Sequence, residues 1–236
     1  MWCGLAVVVA LAGCGRRDFD ALTGRDAGIE IDAPSCPHSF CDDFDRITPA
    51  SAGWNGMSNT GNGTLTLAGG VLVVTIATNG DSAFLTALLP VATASVRIAF
   101  RISYTSAMNA GEIDLVQLRW DTPTPGCSLE GVFLVHDSTG PFDLQETYSG
   151  CGTGNVDTPL IDLSNTGFHD VVMTITLGPL GTAHIRVVID HGPPTDVVAA
   201  HPIPSSSSSL NIGAGAVYNV TSAWDIRYDD LTIDVL

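Results

Sequence analysis

A period-two alternation of apolar and polar residues limits the fold of this chain more than any other feature. The alternation is clearest between Val96 and Tyr104, where apolar and aromatic residues are separated by small or polar ones that include Arg97 and Arg101. Because successive side chains of a β-strand point to opposite faces of a sheet, this segment is predicted to be a half-buried strand with both arginines directed outward.

Similar segments follow one another along the chain, separated by turns rich in Gly, Asn and Asp. They lie at residues 64–67, 70–76, 83–89, 112–120, 130–136, 141–148, 171–177, 185–189, 210–217 and 224–235. No helical pattern longer than a turn or two follows the N-terminal segment. The sequence shows no internal repeat, which disfavours a propeller. About a dozen short strands predict an all-β domain, an antiparallel β-sandwich of two sheets. The apolar positions change parity between Tyr228 and Leu231, which predicts a β-bulge at Asp229-Asp230.

An apolar run from Leu5 to Ala12 opens the chain and leads into Gly13 and Cys14. This arrangement resembles the signal of bacterial lipoproteins, in which small residues and a cysteine follow an apolar segment. The resemblance implies that residues 1–13 are removed and that Cys14 carries the acyl chains that hold the protein on a membrane. A secretory signal with a chance cysteine is one alternative. No Lys or Arg precedes the run, which departs from the positively charged start that such signals usually have. A transmembrane helix is another, although spanning the bilayer takes about 20 apolar residues.

Residues 14–35 are polar and acidic with little periodicity, which predicts a flexible tether that leads to a domain at residues 36–236. The expected location is the bacterial cell envelope. Gly15 follows Cys14 at the position where an Asp retains lipoproteins of some bacteria in the inner membrane. The resemblance therefore favours the outer membrane.

The charge of the chain limits its partners. The formal net charge is −16, and all nine residues of the Lys and Arg class are Arg. Nucleic acid is excluded as a partner because phosphate binding needs clustered cations, and direct attraction to an anionic membrane is disfavoured. Hydrophobic residues make up 45% of the chain, which is enough for a packed core and argues against a disordered chain.

The cysteines predict disulfides. Two of the six cysteines lie in the N-terminal segment, and the other four are Cys36, Cys41, Cys127 and Cys151. An even number in an exported chain is typical of a disulfide framework, which allows three connectivities. Pairing of nearest neighbours is favoured, Cys36 with Cys41 and Cys127 with Cys151. A metal site is disfavoured, since the chain lacks a CxxC pair and clustered His residues.

Two acidic pairs, Asp42-Asp43 and Asp229-Asp230, lie near the two ends of the domain. Their carboxylates are candidate ligands for calcium, because hard cations bind several oxygen atoms. No EF-hand spacing accompanies them, and a solvated strand edge is the favoured interpretation. The sequence predicts no other cofactor.

Two short stretches resemble the concanavalin A-like jelly rolls, a group that includes laminin-G-like domains and family 16 glucanases. They are Cys41-Asp42-Asp43-Phe44 near the start of the domain and Tyr228-Asp229-Asp230-Leu231 near its end. The resemblance covers residues 36–236 as an architecture and implies that the first and last strands lie close together. A shared fold does not by itself specify a function.

One strand carries residues with the spacing of a catalytic site. The stretch Glu112-Ile113-Asp114-Leu115-Val116-Gln117 resembles the active strand of family 16 glycoside hydrolases, which reads Glu-x-Asp-x-Glu or, with a bulge, Glu-x-Asp-x-x-Glu. By this resemblance Glu112 would be the nucleophile, Asp114 its orienting neighbour, and Gln117 would occupy the acid/base position. An amide cannot donate a proton to a leaving group, and a retaining glycosidase needs two carboxyl groups about 5–5.5 Å apart.

Trp120 is predicted to share the face of Glu112 and Asp114, where it could stack on a sugar ring. The same segment is also typical of an ordinary strand with one acidic face. The favoured function is a non-catalytic envelope lipoprotein that binds a polysaccharide or an envelope protein through Trp120, Glu112 and Asp114. A divergent glycoside hydrolase and a purely structural envelope lipoprotein are the alternatives.

Overall fold

The computed structural model describes residues 36–47, 49–104, 111–120, 128–136, 142–149, 154–160, 167–220 and 223–236. The predicted signal and tether, including Cys14, lie outside these residues, and so does the predicted pair of Cys127 and Cys151. The described part of the chain contains no apolar helix of membrane-spanning length.

Fifteen β-strands are formed by the described residues. In chain order they are β1 (Phe40–Asp42), β2 (Gly56–Thr60), β3 (Thr64–Leu67), β4 (Leu72–Ile76), β5 (Ser82–Leu89), β6 (Ser95–Tyr104), β7 (Glu112–Trp120), β8 (Ser128–His136), β9 (Phe142–Ser149), β10 (Gly154–Pro159), β11 (His169–Thr176), β12 (His184–Ile189), β13 (Thr195–Val198), β14 (Ser208–Tyr218) and β15 (Trp224–Val235).

The strands form two sheets that pack face to face. The eight-stranded sheet has the order β13-β12-β11-β6-β15-β4-β3, with β1 paired to β15, and the seven-stranded sheet has the order β10-β9-β8-β7-β14-β5-β2. Neighbouring strands are antiparallel in both sheets. The predicted all-β sandwich of two antiparallel sheets is therefore confirmed.

The core lies between the sheets and is built by alternate residues of each strand. In β6 the apolar side chains at alternate positions from Val96 to Tyr104 are buried in it. The side chains of Arg97 and Arg101 point away from the core and are 41% and 40% exposed, as predicted. Each Ile, Val or Phe side chain that is fully buried in this way stabilises the fold by roughly 1.5–3 kcal/mol.

The first and last strands meet in the eight-stranded sheet, as the resemblance implied. Phe40 of β1 pairs with Ile233 of β15. The predicted Cys36–Cys41 disulfide is present and closes a short loop at the entrance to β1. The pairing of β15 with β6 is irregular between Asp229 and Thr232, which confirms the bulge predicted there.

Three short edge strands are absent from the prediction. Strands β2 and β10 lie outside the segments that the sequence predicts as strands. Strand β13 was not predicted either. Edge strands pair on one side only, and many of these residues are exposed, so they lack the apolar alternation on which the prediction depended.

Candidate functional site

Strand β7 crosses the middle of the seven-stranded sheet, between β8 and β14. Ile113 points into the core, so Glu112 and Asp114 lie on the outer face, the side of this sheet that is turned away from the core. The pairing with β8 is irregular just after Asp114, and the consecutive residues Leu115-Val116 are both buried in the core. Because of this bulge, the side chain of Gln117 lies on the outer face beside Asp114 instead of pointing into the core.

A tyrosine from the opposite sheet supports this bulge. The hydroxyl of Tyr228, on β15, lies 2.8 Å from the carbonyl oxygen of Leu115 and within hydrogen-bonding distance of the carbonyl oxygen of Gly213. The pairing of β14 with β7 is irregular at the same level. Burial raises the pKa of Tyr228 well above its usual value, so the hydroxyl remains a donor. Since a buried carbonyl without a partner costs about 1–3 kcal/mol, this contact stabilises the irregular backbone.

The bulge makes the prediction for Trp120 wrong. That prediction assumed unbroken alternation from Glu112, but the face presented by each position changes at Leu115-Val116. Trp120 is only 3% exposed and packs in the core, so it cannot stack on a ligand at the outer face. The sequence does contain the signal for this change, since two consecutive apolar residues mark a change of parity, as they do near Asp229-Asp230.

A row of hydrogen-bonded polar side chains extends from β5 to β7 on the outer face. The Thr86 hydroxyl donates to Asn211 Oδ1 over 2.7 Å, and Asn211 Nδ2 donates to Gln117 Oε1 over 3.2 Å. Gln117 Nε2 in turn donates to Asp114 Oδ2 over 2.9 Å. These residues come from three adjacent strands, and each amide is oriented by its neighbour.

An aromatic ring continues the row on β8. Phe133 pairs in register with Gln117, and the Arg119 guanidinium lies over its ring, 4.9 Å from the centroid. Gly131 makes room for the ring, because a Cβ atom there would lie 2.5 Å from a ring carbon of Phe133. Phe133 is 6% exposed, so Arg119 and the surrounding side chains cover most of the ring.

The row ends on the edge strands β9 and β10. Gln145 pairs in register with Phe133, and Gln145 Nε2 donates to Asp157 Oδ1 over 3.1 Å. Two residues further along β9, the Thr147 hydroxyl donates to Asn155 Oδ1 over 3.3 Å. Amide, hydroxyl, carboxylate and aromatic groups therefore cross the outer face from β5 to β10. We call the residues Thr86, Asn211, Gln117, Asp114, Phe133, Gln145 and Asp157 the polar row.

The electrostatic environment of Asp114 is unusual for an aspartate. Burial raises the pKa of this carboxyl from 3.8 to about 6, and the like charge of Glu112 adds to the increase. The hydrogen bond from Gln117 and the charge of Arg119 act in the opposite direction. Asp114 is therefore an acceptor at neutral pH, and its raised pKa means that it takes up a proton as the pH falls toward about 6.

The outer face of the eight-stranded sheet differs in chemistry. Arg101 Nη1 lies 3.1 Å from Asp229 Oδ2 and 3.4 Å from Asp230 Oδ2. Arg186 Nη1 lies 3.7 Å from Asp196 Oδ1. Exposed ion pairs of this kind contribute little to stability and are typical of a solvated surface.

The carboxylate of Asp42, a predicted calcium ligand, already accepts hydrogen bonds from other groups of the protein. Asp42 Oδ1 accepts the backbone N–H of Phe44 over 2.9 Å and a hydrogen bond from Arg46, and Asp42 Oδ2 accepts the indole N–H of Trp54 over 2.7 Å. This buried carboxylate fixes the segment that follows β1 against the core.

The other calcium candidates lie in two places. Asp43 Oδ1 accepts the backbone N–H of Asp45 over 3.2 Å, whereas Asp229 and Asp230 face Arg101. Within the described ranges, no group of three or more His, Cys, Asp or Glu residues is placed to hold a metal ion. Calcium binding stays a prediction.

A surface cleft of about 760 Å³ lies beside the edge strands β2 and β3. Its lining is largely apolar and includes Phe44, Leu65 and Leu67, with the exposed side chains of Ile47 and Met57 at its surface. It brings together none of the predicted site residues.

Of the predicted ligand-binding residues, the structure brings Glu112 and Asp114 to one face and removes Trp120 from it. Asn211 and Phe133 were not among the predicted ligand-binding residues. Asn211 lies between the apolar residues at 210 and 212, so alternation alone places it outward. Its position beside Gln117 depends on the pairing of β14 with β7, which joins residues 94 positions apart.

No protein-family model matches the sequence, and a comparison with curated protein sequences finds no match. Solved structures do share the fold. The endo-β-1,4-glucuronan lyase of the fungus Trichoderma reesei aligns with a TM-score of 0.64 at 14% identity, over 84% of this chain and 96% of that chain. Alginate lyase Aly36B aligns with a TM-score of 0.62 at 11% identity, over 86% of this chain and 98% of that chain.

A glycosyl hydrolase family protein from Mycobacterium fortuitum aligns with a TM-score of 0.55 at 16% identity, over 83% of this chain and 99% of that chain. Identities this low show the fold alone. The fold is a jelly-roll β-sandwich of the kind found in polysaccharide lyases and glycosyl hydrolase-like proteins.

Proposed function

We propose that this chain is a cell-envelope lipoprotein whose β-sandwich binds a glycan on the outer face of the seven-stranded sheet and does not cleave it. The observation that carries the proposal is the polar row, which combines amides, carboxylates and an aromatic ring on one sheet face. Sugars present hydroxyl groups to such polar side chains, whereas the Phe133 ring is covered by Arg119 and lies beneath this surface.

Two further observations support this face as the binding surface. The amides of Asn211 and Gln117 are oriented before any ligand arrives, which reduces the entropy cost of binding. On the opposite outer face, the charged side chains of Arg101 and Arg186 lie against Asp229 and Asp196 in ion pairs. The similar structures are also named as enzymes that act on glycans, which agrees with a glycan as the ligand.

The absence of cleavage is proposed because Gln117 occupies the position expected for the acid/base carboxyl. The amide of Gln117 is hydrogen-bonded to Asp114 and Asn211, and it has no acidic proton to transfer. The face would therefore recognise a sugar chain without completing a retaining hydrolysis.

Titration of the purified protein against a panel of β-glucans, galactans and mannans tests the proposed face. Asn211→Ala removes one donor and one acceptor from the polar row, and each neutral hydrogen bond contributes about 0.5–1.5 kcal/mol. We expect the affinity for the bound glycan to fall about three- to tenfold. The matched control is Thr174→Ala, on the outer face of the eight-stranded sheet, which should bind like the wild type. Equal affinity of both variants and the wild type would contradict the proposal.

A divergent glycoside hydrolase is the second candidate function. The observation that favours it is the protonatable carboxyl of Asp114 beside Glu112 on one face of β7. Incubation of the bound glycan with the wild type and with Glu112→Gln, followed by measurement of reducing ends, separates the two functions. Release of reducing ends by the wild type alone would establish hydrolysis and refute a purely binding role.

The lipid anchor is tested separately. Cys14→Ser should move the protein from the membrane fraction to the soluble fraction and abolish incorporation of labelled palmitate. Cys3→Ser, within the proposed signal, is the matched control and should leave both unchanged. Membrane association that persists in Cys14→Ser would contradict the proposed anchor. Separation of inner and outer membranes tests the proposed location in the outer membrane.

A further inference from the structure

We infer that the outer face of the seven-stranded sheet selects sugars with a neutral hydroxymethyl group and rejects polyuronates, and that Glu112 and Asp114 determine this choice. The inference rests on the proposed glycan-binding function, because it names the class of glycan that the same face takes.

The charges on this face are strongly unbalanced. The described strands place four carboxylates on it, at Glu112 and Asp114 of β7, at Asp143 of β9 and at Asp157 of β10. The cation on the same strands is Arg119, whose guanidinium lies over the Phe133 ring. A chain of uronates would bring one carboxylate with each sugar toward this surface, where like charges repel each other.

The hydrogen-bonding capacity of Glu112 and Asp114 also favours neutral sugars over uronates. Gln117 donates to Asp114 Oδ2, and ionised carboxylates can only accept hydrogen bonds. A neutral sugar supplies hydroxyl donors to these oxygens, including the hydroxyl of its C6 hydroxymethyl group. A uronate carries an acceptor at that position, so it offers no donor and adds a second negative charge.

In its choice of glycan the chain would differ from two of the proteins that share its fold. The glucuronan lyase and the alginate lyase are named for polymers of uronic acids. The fold is therefore shared, whereas the charge of the candidate face in this chain is suited to uncharged polymers.

Matched pairs of oligosaccharides test the inference. Cellotetraose and its β-1,4-linked tetraglucuronate counterpart differ only at C6, and so do mannotetraose and tetramannuronate with β-1,4 linkages. Dissociation constants are measured at pH 7.5 with the full chain. Any polysaccharide of the panel that binds is also compared before and after oxidation of its C6 hydroxymethyl groups to carboxylates.

We expect each neutral glycan that binds to bind at least about tenfold more tightly than its uronate counterpart, the order of effect that like charges in contact produce. The double variant Glu112→Gln/Asp114→Asn should reduce this difference to less than about threefold, because it removes both carboxylates of β7. The control Asp196→Asn/Asp230→Asn removes two charges from the opposite sheet, both on exposed side chains, and should retain the full difference.

The outcomes distinguish the inference from the function on which it rests. Equal or tighter binding of the uronate would overturn the inference and leave the proposed function intact. A difference that persists in Glu112→Gln/Asp114→Asn would overturn the assignment to these two residues. Absence of binding to every glycan of the panel would refute the proposed function, and the inference with it.

Discussion

Replacing Tyr228 with phenylalanine tests whether the core positions the polar row. The change removes one oxygen atom and keeps the buried ring, which packs beside Phe100. The carbonyl groups of Leu115 and Gly213 then lose a donor in a place that water does not reach. From the cost of an unpaired buried carbonyl, we expect a loss of about 2 kcal/mol in the free energy of unfolding.

Urea unfolding monitored by tryptophan fluorescence measures this loss. The midpoint should decrease while the slope with urea stays constant, because the surface exposed on unfolding is the same. For a domain of this size the expected loss corresponds to a melting temperature lower by about 4–8 °C. The matched control Tyr148→Phe removes the same atom from a half-buried tyrosine on β9 and should change stability by less than about 0.5 kcal/mol.

The same variant connects stability with binding. If the bulge holds Asp114 and Gln117 on one face, Tyr228→Phe should also weaken binding of the glycan. A loss of stability below about 0.5 kcal/mol would refute the role of the hydroxyl in supporting the bulge. A large loss of stability with unchanged affinity would show that the bulge geometry is not needed for binding.

Three other predictions concern single residues. Trp120→Ala should destabilise the protein by about 3–5 kcal/mol because it empties a core position; a small change in urea unfolding would contradict its burial. Asp81 accepts backbone N–H bonds, of which that from Asn62 contributes most, and these lower its pKa from 3.8 to about 2. Its contribution to stability is therefore present above pH 3.8 and lost as the pH falls toward 2, so the stability difference between wild type and Asp81→Asn should shrink across that window in urea unfolding. The pKa of Asp114 is raised, so the folded state holds this proton more tightly, and stability should decrease as the pH rises from 3.8 to about 6. Asp114→Asn should remove that part of the pH dependence, and an unchanged profile would contradict the environment described for Asp114.

Much of the fold could be predicted because it depends on local patterns. Period-two alternation identified β6 and most of the other core strands, since each buried face must be apolar. The change of parity near Asp229-Asp230 located one bulge correctly. The same type of signal at Leu115-Val116 was present but was not used, and the prediction for Trp120 was wrong for that reason.

The candidate site depends much more on tertiary structure. Glu112 and Asp114 could be placed on one face from their spacing alone. The sequence did not indicate that Asn211 would orient Gln117, since this requires β14 to pair with β7 in one particular register. It also did not indicate that Tyr228 would reach across the core to the carbonyl oxygen of Leu115.

The order of apolar and polar residues along the chain was enough to predict the core strands and a sandwich of two sheets, and the spacing of the cysteines favoured the pairing of Cys36 with Cys41. The order of the strands in each sheet, and with it the set of polar side chains that meet in the polar row, became known only from the folded chain. The two kinds of information differ in how far apart along the sequence the interacting residues lie. Alternation is set by the geometry of consecutive residues, whereas a hydrogen bond between Asn211 and Gln117 exists only after long-range pairing has brought their strands together.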